Sequence, residues 1–289
     1  MRIAVFMGGV SSEREISLKT GKAILESLQR QGYDAYGVEL NHENLLSAFL
    51  ENEYDLAYLA LHGVYGEDGR IQGLLDILGK KYTGSGMIAS AVSMDKNLTK
   101  HVAENVGIPV PKSYLKEEIN SIEHYPIVVK PTTEGSTIGL YICNNLEELK
   151  KAIELSGDKD ITIEDFIKGE ELTVGVLEGE ALGVIRIKPK SGLYDYTSKY
   201  TKGMTEYEFP AKIDEISYNK AMKYAAKIHK ALNMRGISRS DFILRGNELF
   251  FLEVNSCPGM TETSLVPKVA TLKGYSFDDL TKKMVENFK

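Results

Sequence analysis

Only two cysteines, Cys143 and Cys257, occur in 289 residues, and they stand far apart. They match no metal-ligand or redox spacing, so a reducing cytoplasm is the simplest home. Long apolar runs are also missing, since none approaches the roughly 20 residues that a helix needs to span a bilayer. Met1-Arg2-Ile3-Ala4-Val5-Phe6 runs straight into a strand pattern rather than a signal peptide. The expectation is a soluble, cytoplasmic protein without a membrane partner. Excess positive charge is absent too: 35 Lys and Arg against 41 Asp and Glu give a net charge of −6. That argues against nucleic acid as the partner, while leaving room for local basic clefts that hold phosphates. No Gly-Lys-Ser/Thr closes a glycine-rich loop, so the P-loop is excluded as well.

What is present is length enough for two or three subdomains, and three blocks emerge, none repeating another. The first has a buried-strand run, Ile3 to Met7, then Gly8-Gly9-Val10-Ser11-Ser12 and a helical pattern from about Ile16 to Arg30, closed by Gly32. A second apolar run, Leu56 to Leu61, leads into His62-Gly63-Val64-Tyr65-Gly66-Glu67-Asp68-Gly69 and a helix near Ile71 to Leu78. Strand, glycine loop and helix, repeated, predict a parallel α/β sheet that binds ligands at the carboxyl ends of its strands. In the second block a strand ends in Lys130 and is followed by Pro131-Thr132-Thr133-Glu134-Gly135-Ser136-Thr137-Ile138-Gly139. Backbone N–H groups, hydroxyls and a cation in that order suit a phosphate cover, although an ordinary polar hairpin fits the same residues. A helix near Leu146 to Leu155 and a strand from Ile161 to Phe166 follow. The third block has strands near Leu172 to Leu177 and Leu182 to Ile187, a long polar-aromatic segment from Ser191 to Phe209, and a helix from about Ile213 to Leu232.

The third block ends in the most telling stretch. Asp241-Phe-Ile-Leu and Leu249-Phe-Phe-Leu flank the turn-prone Arg245-Gly246-Asn247, which reads as a β-hairpin bearing Asp241, Glu253 and Asn255 at its far end. Glu253 and Asn255 are two apart and share a face. Two carboxylates and an amide, with no His or thiolate beside them, form a hard-oxygen set suited to magnesium and, through it, to a nucleotide. Solvated acids at an exposed hairpin end are the alternative. Asp241 faces Glu253 only if paired indices sum to 494, and a two-residue turn at Gly246-Asn247 would break that sum; a three-residue loop at Gly246 to Glu248 is therefore predicted.

These stretches carry a resemblance. Gly8-Gly9 with Ser12-Glu13-Arg14-Glu15, Leu61-His62-Gly63 with Gly66-Glu67-Asp68-Gly69, Tyr82-Thr83-Gly84-Ser85-Gly86 and Ser93-Met94-Asp95-Lys96 form its first half. Val129-Lys130-Pro131, Tyr194-Asp195-Tyr196, Lys199-Tyr200, Glu253-Val254-Asn255 and Pro258-Gly259-Met260-Thr261 complete it. In this order, over essentially the whole chain, they closely resemble the D-alanine–D-alanine ligases of the ATP-grasp superfamily. The resemblance implies a chain of α/β and α+β class with the ATP-grasp fold. Its parts would be an N-terminal parallel α/β, Rossmann-like (pre-ATP-grasp) domain at 1–92, a central lobe at 93–176, and a C-terminal lobe at 177–289 with a mobile loop and the metal site.

It also implies ATP-driven condensation of two D-alanine molecules through an acylphosphate, for peptidoglycan precursors. The carried-over cofactors are ATP and two Mg2+, with Mn2+ as a substitute and a monovalent cation as a further activator; a homodimer is the family's usual assembly. Asp241, Glu253 and Asn255 match the magnesium ligands, and Lys96, Lys130 and Lys199 the phosphate-contacting lysines. Glu164 and Ile167 match the strand that holds adenine, and Glu171 the acid on the ribose. Glu13 matches the acid that holds the first D-alanine's ammonium group, with Ser136 and Tyr200 as companions and His62 as a ligand contact. Arg239 and the Gly259 N–H match the oxyanion hole, and Ser264 and Leu265 the second carboxylate's pocket. Ser238, Ser240 and Cys257 depart from the residues usual there. A different ATP-grasp ligase, joining D-alanine to D-lactate or D-serine or acting on other amino acids, and a catalytically dead nucleotide-binding regulator are the other readings; the regulator would show losses among Asp241, Glu253, Asn255, Arg239 and the lysines, and none is lost.

Overall fold

A computed structural model describes residues 1–135, 139–190 and 203–288. Its first sheet is parallel, in the order β2-β1-β3-β4, formed by β1 (Arg2–Gly8), β2 (Asp34–Leu40), β3 (Leu56–Leu59) and β4 (Lys81–Tyr82). Helices α1 (Arg14–Arg30), α2 (Ser47–Glu51) and α3 (Arg70–Ile77) make the crossovers. The unbroken apolar run of β1 follows from its central place, because a parallel strand is covered on both faces. Ile3, Val5 and Met7 pack with Ile24 and Leu28 of α1 on one face, while Ala4 and Phe6 pack with Phe49, Ile71 and Leu75 on the other. The sequence reading of a parallel α/β first block holds.

Two helices lead out of it, α4 (Met87–Met94) and α5 (Lys96–Asn105). The second sheet is antiparallel, in the order β5-β8-β6-β7, from β5 (Ser113–Tyr114), β6 (Ile127–Pro131), β7 (Tyr141–Cys143) and β8 (Ile161–Asp165). Helix α6 (Leu146–Ser156) covers the face carrying Ile127, Val129 and Ile163. Alternation then sends Lys130 and Glu164 to the opposite face.

The third sheet is antiparallel, in the order β11-β10-β9-β12-β13, from β9 (Glu170–Leu177), β10 (Glu180–Pro189), β11 (Thr205–Glu208), β12 (Ile237–Arg245) and β13 (Glu248–Asn255). Helix α7 (Glu215–Ala231) starts where the Asp214 side chain caps the Ser217 N–H at 2.8 Å, and lays Ala221, Ala225 and Ile228 on Val174, Val184, Phe242 and Phe251. After the sheet come α8 (Leu265–Ala270) and α9 (Phe277–Glu286). The latter returns to the first domain, where Leu280 and Met284 join its core and Asp278 binds Ser27 and Arg30.

Part of the Ser191 to Phe209 segment, expected as one loop, is strand β11, paired with β10; residues 191–202 lie outside the described residues. Because β9 already belongs to the third sheet, a division after residue 176 would fall near the end of that strand. We propose the boundary close to Gly169, which keeps the sheet whole.

Candidate active site

The oxygen-bearing hairpin is built by a register shift. At its tip Arg245 pairs with Glu248 across the two-residue turn Gly246-Asn247, so the predicted three-residue loop is not there. Phe242 pairs with Phe251, but Asp241 pairs with Glu253, and Leu252 is the extra residue of a β-bulge on β13. Without the bulge Glu253 would share the face of Phe251 and Leu249, which are buried against α7. With it, Val254 goes to that core, and Glu253 and Asn255 join Arg239 and Asp241 on the other face. The facing pair expected from the sequence is present, for a different reason.

Around these residues the charges interlock. Arg239 grips Asp241 twice, Nε to Oδ1 at 3.1 Å and Nη2 to Oδ2 at 2.9 Å, and Thr173 donates to Asp241 Oδ1 at 2.5 Å. Asn255 Oδ1 accepts from the Cys257 N–H at 2.9 Å, which orients the amide oxygen and leaves it a second lone pair. Glu253 lies 3.5 Å from Lys96 Nζ. All the donor atoms are oxygens and two are carboxylates, so the set fits a divalent hard cation.

Lys96 is placed by a helix start. The Asp95 side chain accepts from the N–H groups of Asn97 and Leu98, both at 2.9 Å, making it the cap of α5 and Lys96 the first helical residue. From there Lys96 Nζ donates to the Glu134 carbonyl at 2.7 Å, tying the loop after β6 to the hairpin. On the second sheet Lys130 Nζ lies 2.7 Å from Glu164 Oε1, and the other carboxylate oxygen contacts Lys100, one turn beyond Lys96. Lys100 was not singled out in the sequence, where a lone lysine reads as solvated; its spacing of four from Lys96 was the available signal. Ile167 stands in the link between β8 and β9, and Glu171 sits in β9 in register with Ile187 and Ile243.

A cleft of about 350 Å³ brings together Glu13, His62, Arg239, Glu253, Asn255 and Gly259, with Ser264 and Leu265 along one side. Ser264 precedes α8, its hydroxyl accepting from the Thr261 N–H at 3.0 Å. The loop after β6 comes down close on Glu13: a Cβ at Gly135 would lie 2.9 Å from Glu13 Oε1, so a larger residue there would push the Glu13 side chain aside. His62 is buried, its ring 3.1 Å from the Thr20 hydroxyl; burial lowers its pKa, with Glu13 opposing. Glu67, quoted in a motif but given no role from sequence, is the third member of this group. Glu13, His62 and Glu67 bring their ligand atoms within 4.8 Å of one another. Gly63, at φ +70°, donates to Glu67 Oε2 at 2.6 Å, yet burial, with Glu13 nearby, pushes the Glu67 carboxyl up to about 8. Ser136, Lys199 and Tyr200 lie outside the described residues.

Comparison with known proteins bears directly on this arrangement. A family model described as the D-ala D-ala ligase C-terminus matches residues 91–286, and its N-terminus counterpart matches residues 44–85. The chain belongs to the D-alanine–D-alanine ligase family. A D-alanine–D-alanine ligase of Fusobacterium nucleatum is 63% identical over 289 residues, covering 100% of this chain and 99% of that protein. One of Aquifex aeolicus is 47% identical, covering 97% and 98%. Among solved structures, the Bacillus anthracis D-alanine–D-alanine ligase complexed with ATP superposes with a TM-score of 0.85 at 33% identity, covering 99% of this chain and 96% of that one. The VanG D-Ala:D-Ser ligase of Enterococcus faecalis gives 0.87 at 29% identity, covering 100% and 99%. The fold is therefore the ATP-grasp fold of these ligases.

Within this ligase-family chain, two of the three departures turn away from the site. Ser238 and Ser240 are fully buried on the core face of β12, opposite Arg239 and Asp241. Ser238 Oγ pairs with His229 Nδ1 at 2.7 Å, whereas Ser240 Oγ is buried without a hydrogen-bond partner among the described residues. Cys257 does border the site: its Sγ lies 3.7 Å from the Leu59 carbonyl, and burial pushes its thiol pKa up, which makes it a poor nucleophile.

Proposed function

We propose that this chain is an ATP-dependent carboxylate–amine ligase that joins two D-alanine molecules into D-alanyl-D-alanine, releasing ADP and phosphate, for peptidoglycan precursors. The observation that carries the reading is the meeting, in one cleft, of Glu13 from the first domain, Lys96 at the start of the central lobe and the Asp241–Glu253–Asn255 hairpin of the third sheet. An ammonium-binding acid, a phosphate-binding cation and a divalent-ion set stand side by side.

A free carboxylate is a poor electrophile, so activation comes first. The carboxylate of the first D-alanine, its ammonium group held by Glu13, attacks the γ-phosphorus of ATP; the bond to the β-phosphate oxygen breaks and ADP leaves. Lys96 and Lys130 hold phosphate oxygens, and Lys199 is assigned the γ-phosphate by resemblance. Catalysis of this step is mostly positioning and charge neutralisation. The amine of the second D-alanine, its carboxylate at Ser264 and Leu265, then attacks the acylphosphate carbonyl. Negative charge on the tetrahedral intermediate meets Arg239 and the Gly259 N–H, the amine loses a proton, and phosphate leaves as the amide forms.

Two magnesium ions, with manganese as a substitute, are assigned to Asp241, Glu253 and Asn255, where they would neutralise the β- and γ-phosphates. Arg239 and Thr173 hold the Asp241 carboxylate in place. Glu164, Ile167 and Glu171 are assigned to the nucleoside, and Ser136 and Tyr200 to the first D-alanine. The Ser191 to Phe209 segment is proposed to close over filled sites and shield the acylphosphate from water. Among the described residues no helix is long and apolar enough to cross a membrane. Cytoplasmic location, a homodimer and activation by a monovalent cation complete the proposal.

The test is ADP release with magnesium and ATP, supplying D-alanine alone, L-alanine, or D-alanine with D-serine or D-lactate, and identifying products by mass spectrometry. D-alanyl-D-alanine in stoichiometric yield with ADP is expected. A dominant mixed product with D-serine would move the chain toward the specificity named for the Enterococcus faecalis neighbour, and no turnover with any pair would revive the regulator.

A further inference from the structure

Lys100 is among the largest fully enclosed side chains of the described residues, at 2% exposure, and it ends in an amine whose charged form is disfavoured by burial and by the neighbouring Lys130 and Lys96. Such groups are seldom buried unless paired. Its partner is Glu164, whose side chain is 3% exposed and whose two oxygens are divided, Oε2 to Lys100 and Oε1 to Lys130 at 2.7 Å. Lys130 and Glu164 reach each other because Val128 is paired with Glu164 and Lys130 with Thr162, which puts both side chains on one face of the sheet. Lys100 arrives from the side, on α5. Lys96 and Glu253, 3.5 Å apart, stand beside this group.

Position distinguishes the two lysines that meet Glu164. Lys130 is the more open of the two that hold Glu164, at 10% side-chain exposure, and it ends the strand that feeds the loop beside Lys96. Lys100 is closed in, at 2% side-chain exposure. We propose that Lys100 is a positioning residue of the nucleotide site: it keeps the Glu164 carboxylate ionised and fixed when Lys130 turns to a phosphate, so that Glu164 can accept a hydrogen bond from the 6-amino group of adenine. Without Lys100, Lys130 must serve either the phosphate or the buried carboxylate. Lys100 is then a determinant of base selectivity without touching the nucleotide. The inference rests on the assignment of Glu164 to the base and Lys130 to the phosphates.

The test compares magnesium-ADP with magnesium-IDP, whose base carries a 6-oxo group in place of the amino group, by calorimetry on the full chain. For K100M, ADP affinity is expected to fall roughly tenfold or more, with IDP affinity changed far less, so that discrimination collapses. E164Q is expected to shift preference toward IDP, since an amide can donate to the 6-oxo group. The double variant K100M/E164Q should match E164Q alone within about twofold, because Lys100 has no carboxylate left to hold. It also removes both buried charges together, so it carries the test even where K100M is too unstable to study. Equal losses for ADP and IDP in K100M, or a double variant clearly weaker than E164Q, would overturn the role of Lys100 while leaving Glu164 in place. An unchanged ADP to IDP ratio in E164Q would instead remove Glu164 from the base, and the proposal with it.

Discussion

The two ends of the cleft are built from opposite charges. Where the nucleotide is proposed to lie Lys96, Lys100 and Lys130 crowd around Glu164 and Glu253; where the amino acid is proposed to lie Glu13 stands beside a neutral-leaning His62 and a Glu67 whose carboxyl burial pushes up to about 8. Each end carries charge opposite to that of the group assigned to it, polyphosphate at one and ammonium at the other. Between them Arg239 and Asp241 neutralise each other, in the stretch where charge would change most during reaction. On the proposed assignment this division lets one cleft hold a polyanion and a zwitterion without confusing them, because burial raises the cost of placing either at the wrong end.

That contrast can be broken at its centre or at either end. The largest effect is expected from Arg239→Leu, which should lower kcat about 10²- to 10³-fold through loss of oxyanion stabilisation, read as ADP release at saturating substrates. Next come paired variants of the two ends. Glu13→Gln should raise KM for the first D-alanine about 10- to 100-fold and spare KM for ATP, while Lys96→Met should do the reverse. Steady-state kinetics with each substrate varied separately checks the pair, and crossed effects would show that the ends are not independent. A third test uses pH. The Glu67 carboxyl is held up to about 8 from an ordinary 4.5, so between those values the folded chain keeps a proton that the unfolded chain has lost. Stability from this group is present at low pH and declines as pH rises toward 8, by at most about 1.4 kcal/mol per pH unit. Thermal midpoints from pH 5 to 8 should therefore fall less steeply in Glu67→Gln. The smallest effects belong behind the site: Ser238→Ala should cost about 1–2 kcal/mol by stranding His229, whereas Ser240→Ala should be neutral or stabilising, as judged by urea denaturation.

The hairpin shows how far sequence can carry the reading. Spacing and residue chemistry placed Glu253 and Asn255 on one face and opposed Asp241 to Glu253, but they assigned this to the turn. No apolar pattern marks Leu252 as a bulge, because a residue with partial burial on either face looks the same in a string of Leu and Phe. The parallel first sheet was legible, since a strand buried on both sides must be apolar throughout, as β1 is. Lys100 was not, because the rule that lysines are solvated holds until a distant carboxylate, here 64 positions along the chain, is folded onto it. The direction of Ser238 and Ser240 was missed for a related reason: proximity in sequence to Arg239 and Asp241 suggests a shared site, and strand alternation separates them. Ser136, Lys199 and Tyr200 rest on resemblance alone.

The bulge also has a practical meaning for anyone handling this molecule. Since Leu252 sets the phase of the distal half of β13, the exposed tip from Arg245 to Glu248 does not by itself dictate how Asp241 meets Glu253. A short flexible insert between Gly246 and Asn247 should leave that meeting intact, giving a permissive attachment point for a fluorophore or affinity handle at the outer end of the hairpin whose inner end carries the metal-ligand set.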